Sequence, residues 1–148
     1  KKGITMKIQQ LSIFVENKPG CLADVTKIMS DHQIDMRALS IAETPDFGIL
    51  RAIVSDTEKT AQILKEAGYI YSITPVLAIA IADRPGSLHQ VLEILKEYSI
   101  NLEYVYAFVT RKEDEAYMIL RVADNDKAYE VLSGRQVHVL TQEELNQL

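Results

Sequence analysis

The chain carries one pattern twice, and that repeat governs what it can fold into. A shift of 66 places Val15-Glu16-Asn17-Lys18-Pro19-Gly20-Cys21-Leu22 on Ile81-Ala82-Asp83-Arg84-Pro85-Gly86-Ser87-Leu88. The same shift sets Leu11, Ile13 and Val15 on Leu77, Ile79 and Ile81, and Ile34-Asp35-Met36 on Ile100-Asn101-Leu102. Further along, a shift of 70 aligns Ile49-Leu50-Arg51 with Ile119-Leu120-Arg121, which predicts a slightly longer loop in the second copy.

Each copy reads as the same series of elements. Leu11, Ile13 and Val15 alternate as a strand does, and Pro-Gly punctuates its end. Leu22, Val25, Ile28 and Met29 then recur at helical spacing, as do Leu88, Val91, Leu92 and Leu95. Ser87 with Gln90 reads as a capping box for that second helix, and Thr141 with Glu144 as another for a short C-terminal helix. Two strands follow in each copy, near 35–41 and 48–54 in the first and 101–108 and 117–122 in the second. A helix over 57–67, ending at Gly68, has its counterpart over 126–132, ending near Gly134. Closing strands are predicted at 69–74 and 136–140.

The order βαββαβ, twice, predicts an α+β fold of two tandem ferredoxin-like units. Each would be a four-stranded antiparallel sheet with helices on one face. The domains are predicted at 6–74 and 76–148, with Met6 as a natural start and Pro75 alone between the closing strand of one copy and the opening strand of the next. On the helix-free face Ser12, Ala78 and Ala80 are small, while Tyr104, Tyr106 and Phe108 are bulky and share one parity. Packing within an oligomer, most simply a homodimer, and an aromatic ligand platform are the two readings of that face.

Composition removes several classes of function. With 16 basic and 21 acidic residues the net charge is −5, which argues against nucleic acid and anionic membranes as partners. The longest apolar stretch, 69–82, is broken by Ser72, Thr74 and Pro75, so no membrane span is expected. No apolar run follows Lys1 and Lys2 as a signal peptide requires. One cysteine cannot make an internal disulfide, and a reducing cytoplasmic location follows as the expectation. His32, His89 and His138 are scattered, so neither a metal nor another cofactor is expected. No nucleophile stands beside a base at a recognisable spacing, which points to a protein that is not an enzyme.

The strand, polar residue, Pro-Gly, helix corner is the element that carries chemistry. A helix start leaves backbone N–H groups without carbonyl partners and favours an anion. Glycine admits close approach to that backbone, and the Asn17 amide can both donate and accept. Such a corner suits a zwitterionic amino acid, and it is also a serviceable turn with no ligand.

The two Pro-Gly corners, with Ile34-Asp35-Met36 and Ile100-Asn101-Leu102 downstream, resemble the signature of ACT domains over about residues 7–140. The resemblance implies a stand-alone regulatory protein that binds a small amino acid between ACT units and modulates an enzyme of amino-acid metabolism. The same family includes modules that only assemble, so a ligand-free interaction subunit is the alternative. Carried over by position, the ligand-binding residues are Asn17, Pro19, Gly20, Cys21 and Leu22 in the first corner and Asp83, Gly86, Ser87 and Leu88 in the second. Asp35 and Asn101 would open the second strand of a neighbouring unit. Asp83 cannot donate to a carboxylate when ionised, so the Asn17 and Gly20 corner is expected to be the tighter site, despite Asp24 in the first turn of its helix.

Overall fold

A computed structural model describes residues 7–108 and 110–148. Met6, where the first domain is predicted to begin, and Val109 lie outside the described residues. The chain divides into two compact units, Gln9–Thr74 and Pro75–Leu148 with Lys7 and Ile8. Both are mixed α+β.

The first-copy unit contains β1 (Ile8–Glu16), α1 (Cys21–Asp31), β2 (Met36–Glu43), β3 (Phe47–Val54) and α2 (Thr57–Glu66), and takes in the start of β4 (Tyr71–Ala82). Strand β3 lies antiparallel between β1 and β2. Strand β1 also pairs with β4, where Ser12 Oγ and Thr74 Oγ1 are 3.1 Å apart. Alternation sends Leu11, Ile13 and Val15 of β1 and Leu50, Ala52 and Val54 of β3 to one side, where Val25 and Met29 of α1 and Ala61 and Leu64 of α2 close over them. Each such Leu, Ile or Val contributes about 1.5–3 kcal/mol by leaving water.

The second-copy unit repeats the plan with the rest of β4, α3 (Ser87–Glu97), β5 (Leu102–Phe108), β6 (Glu115–Val122), α4 (Asn125–Gly134) and β7 (His138–Val139). Strand β6 lies between β4 and β5, and β4 pairs with β7 on its other side. Its core joins Leu77, Ile79, Leu120 and Val122 to Val91 and Leu95 of α3 and Ala128 and Leu132 of α4. A short helix, α5 (Gln142–Asn146), ends the chain behind the capping box that Thr141 and Glu144 were expected to make.

Four expectations need correcting. Pro75 does not separate two strands: β4 runs through it unbroken. Proline's fixed φ suits extended backbone, and the Pro75 carbonyl accepts from Arg121 Nη1 at 2.8 Å and Asn125 Nδ2 at 3.3 Å. The last strand, β7, is two residues long rather than five. No Ser87 capping box forms, because Gly86, at φ 92°, is itself the cap and Ser87 is the buried first residue of α3.

The register of the second copy differs as well. Ile13 pairs with Leu50 and the equivalent Ile79 with Met118, so the shift over β3 and β6 is 68, not 70. The helix caps agree, since Asp56 and Asp124 accept from Lys59 N and Lys127 N, each at 3.0 Å.

Candidate functional site

At the end of β1 the chain turns through Asn17, Lys18, Pro19 and Gly20 into α1. The turn closes by Cys21 N donating to Lys18 O at 3.2 Å, and Asp24 N donates to Gly20 O at 2.9 Å. Gly20 caps the helix at φ 90° without a side-chain bond. The N–H groups of Leu22 and Ala23 therefore face outward with no intrahelical carbonyl to receive them.

A second segment meets this corner. The β2–β3 hairpin turns at Thr44–Phe47, where Thr44 N donates to Phe47 O at 2.7 Å. Asn17 ties the corner to that turn twice: its backbone N–H donates to Asp46 O at 3.2 Å, and its side-chain Nδ2 donates to Thr44 O at 2.8 Å. Between corner and hairpin lies a cleft of about 190 Å³. Val15, Leu22 and Ile41 give it an apolar wall, Gly20, Ala23 and Gly48 leave it open, and Glu16, Lys18 and Glu43 bring charge to its rim. Lys18 Nζ is 3.5 Å from Glu16.

Of the first-corner residues singled out by sequence, the structure brings Asn17, Gly20 and Leu22 to this cleft, whereas Pro19 and Cys21 belong to the turn without lining it. Asp24 does not line it either. Its charge is felt by Tyr69, whose phenol is pushed above its ordinary value by burial first, then by Asp24 and Cys21. Asp35 is exposed just ahead of β2, with Arg37 Nε 3.3 Å from its carboxylate.

In the second unit, Asp83 is exposed at the equivalent corner, and its backbone N–H donates to Asp114 O at 2.9 Å as that of Asn17 does to Asp46. Gly86 is left-handed, Ser87 is buried and Leu88 half-buried. Asn101 is exposed ahead of β5.

Sequence reasoning missed the hairpin's share of the site: Ile41, Glu43 and Gly48. One signal was present, a glycine on the inward parity of β3, where a strand gives up a side chain only for a reason. Among the described residues there is no group of three or more His, Cys, Asp or Glu side chains that could hold a metal, and no helix long and apolar enough to cross a membrane.

Residues 6–148 match the sequence family described as "ACT domain pair". The structure is similar to that of protein BT0572 from Bacteroides thetaiotaomicron, at 40% identity and a TM-score of 0.90, covering 97% of this chain and 98% of that one. It shares its fold with the ligand-free regulatory subunit of aspartate kinase from Thermus thermophilus, at 12% identity, a TM-score of 0.64 and coverage of 89% and 94%. The corresponding subunit from Thermus flavus is similar at 13% identity and a TM-score of 0.61, with coverage of 91% and 97%. Among curated proteins none matches.

Proposed function

The chain belongs to the ACT family as a pair of ACT domains, and on that premise we propose that it is a non-catalytic amino-acid sensor whose effector lies at the Asn17–Leu22 corner. The observation that carries this reading is the cleft in which the start of α1 and the rim carboxylates Glu16 and Glu43 stand around one space. Two unpaired backbone N–H groups and the positive end of a helix dipole favour a carboxylate. A carboxylate on the protein favours an ammonium. A ligand carrying both groups uses the whole site.

Asp35 and Asn101 remain the residues proposed to reach an effector from a facing ACT unit, as in the family pattern. The Asp83, Gly86, Ser87 and Leu88 corner is the weaker counterpart, because an ionised Asp83 repels the acid end of an amino acid. Regulation of a cytoplasmic enzyme of amino-acid metabolism, through a homodimer of this chain, completes the proposal. Effector binding would shift the population of one arrangement of units over another.

A thermal-shift screen of the twenty proteinogenic amino acids tests it. A ligand at a hundred times its Kd adds about 2.7 kcal/mol to the folded state, which for a chain of this size raises Tm on the order of 5–10 °C. No shift with any amino acid would leave the ligand-free assembly role as the better reading.

A further inference from the structure

We infer that Glu43 holds the ammonium end of the effector and that the effector's side chain lies on the apolar wall beside it. The inference rests on the amino-acid reading above and assigns what that reading leaves open. Glu43 is the last residue of β2, and its cross-strand partner is Gly48. Directly opposed residues in an antiparallel pair ordinarily set two side chains about 5 Å apart. Gly48 supplies none, and both residues line the cleft.

Gly48 is packed closely by the residues of the cleft wall. A Cβ there would lie 3.5 Å from Ala42 O, 3.6 Å from Ile41 Cγ2 and 3.8 Å from Val15 Cγ2. Val15 and Ile41, with Leu22, form the apolar wall of the cleft. Its volume is about 190 Å³, room for a ligand of amino-acid size.

Charge singles out Glu43. Of the three charged residues at the rim, Lys18 and Glu16 lie within reach of each other, whereas Glu43 has no ion pair among the described residues. An uncompensated carboxylate beside an apolar wall recognises a cation that carries an apolar body, and an α-ammonium next to an alkyl side chain is such a group. At the shift of 66, Val109 stands in the sequence where Glu43 stands, and Ala82 where Glu16 stands.

Calorimetry on the full chain tests this, with L-alanine, L-valine and L-leucine as probes beside propionate, isovalerate and 4-methylvalerate, the same acids without the amino group. We expect one of the three amino acids to bind at least tenfold more tightly than its amino-free analogue. Glu43→Gln and Glu43→Val should each weaken that amino acid at least tenfold, while the analogue binds as tightly or more tightly and the Tm of the free protein is unchanged. Equal binding of the amino acid by wild type and both variants overturns the assignment of Glu43, as does an analogue that binds as tightly as its amino acid. A preference for a polar or charged amino acid over all three overturns the placing of its side chain on the apolar wall. A wild-type chain that binds none of the twenty amino acids overturns the sensing proposal itself, and this inference with it.

Discussion

The side-chain amide of Asn17 donates to the carbonyl of Thr44 at 2.8 Å, across a gap of 27 residues in sequence. It thereby joins the two segments that bound the cleft. The residue read from sequence as a ligand contact is thus one that builds the cleft. One of its two amide hydrogens is committed to Thr44, which leaves the second hydrogen and the carbonyl oxygen for an effector. Asp83 keeps the backbone half of the arrangement through Asp114, but a carboxylate has no hydrogen to give a carbonyl.

Asn17→Asp, which copies the second corner into the first, should cost about 0.5–1.5 kcal/mol through the lost hydrogen bond. The lower part of that range is expected because the bond is exposed. Faster amide exchange confined to the Thr44–Phe47 turn, with the helices unaffected, is the signature to look for. An unchanged turn would show that the hairpin holds its place without Asn17.

The helix caps give a stability test that is separate from the cleft. Asp56→Ala and Asp124→Ala each remove an oxygen that accepts from the third residue of the following helix, at 3.0 Å in both copies. Each change should cost about 1 kcal/mol in denaturant unfolding. A much smaller loss at one site would mean that its helix is held by the buried residues Leu64 or Leu132 alone.

Those caps also show where sequence reading stopped. The repeat, the order of elements and the Pro-Gly corners follow from local chemistry, because strand alternation, helical spacing and a left-handed glycine each leave a mark within a few residues. Register leaves none. Shifting β6 by two residues keeps every side chain on its own face, so the identical Ile-Leu-Arg triplets at 49–51 and 119–121 outweighed the true correspondence. The pairing of Ile79 with Met118 and the equivalence of Asp124 to Asp56 reveal it. The cleft was half legible for a similar reason. Asn17, Gly20 and Leu22 lie in one short motif, but Ile41, Glu43 and Gly48 come from a hairpin whose approach to that motif is a tertiary event. Pro75 misled in the other direction: a residue that commonly ends strands is accommodated inside one, with its carbonyl bonded to Arg121 and Asn125.

Acid should weaken the C-terminal end of the chain through Glu144. Its carboxyl is held below the ordinary value of 4.5, chiefly by the Thr141 backbone N–H that donates to it at 2.8 Å, and further by His138 at 2.9 Å. A group whose folded pKa is depressed contributes stability that is complete above its unfolded pKa and lost as pH falls through the folded one. The stability gap between wild type and Glu144→Gln should therefore be widest near neutrality and shrink below about pH 4.5. Denaturant melts of both proteins at several pH values would show this. A gap that stayed constant into acid would assign the difference to packing of α5 instead of to its charge.

Gly20 separates backbone cost from steric cost. It sits at φ 90°, where residues with a Cβ are strained, yet a Cβ built there meets nothing within 4 Å. Gly20→Ala should therefore destabilise the chain by about 1–2 kcal/mol, the cost of left-handed backbone for an L-residue, with no contribution from a clash. Gly86, at φ 92° and equally open, should pay the same amount in the second copy. The two sites part company in binding. Gly20 lines the cleft beside the free N–H groups of Leu22 and Ala23, so a methyl there narrows the approach to the helix start. Gly20→Ala should thus lower both Tm and effector affinity, while Gly86→Ala should lower Tm alone. Parallel melts and titrations of the two variants with whichever amino acid stabilises the wild type would decide it, and an affinity lost only in Gly86→Ala would move the effector to the second corner.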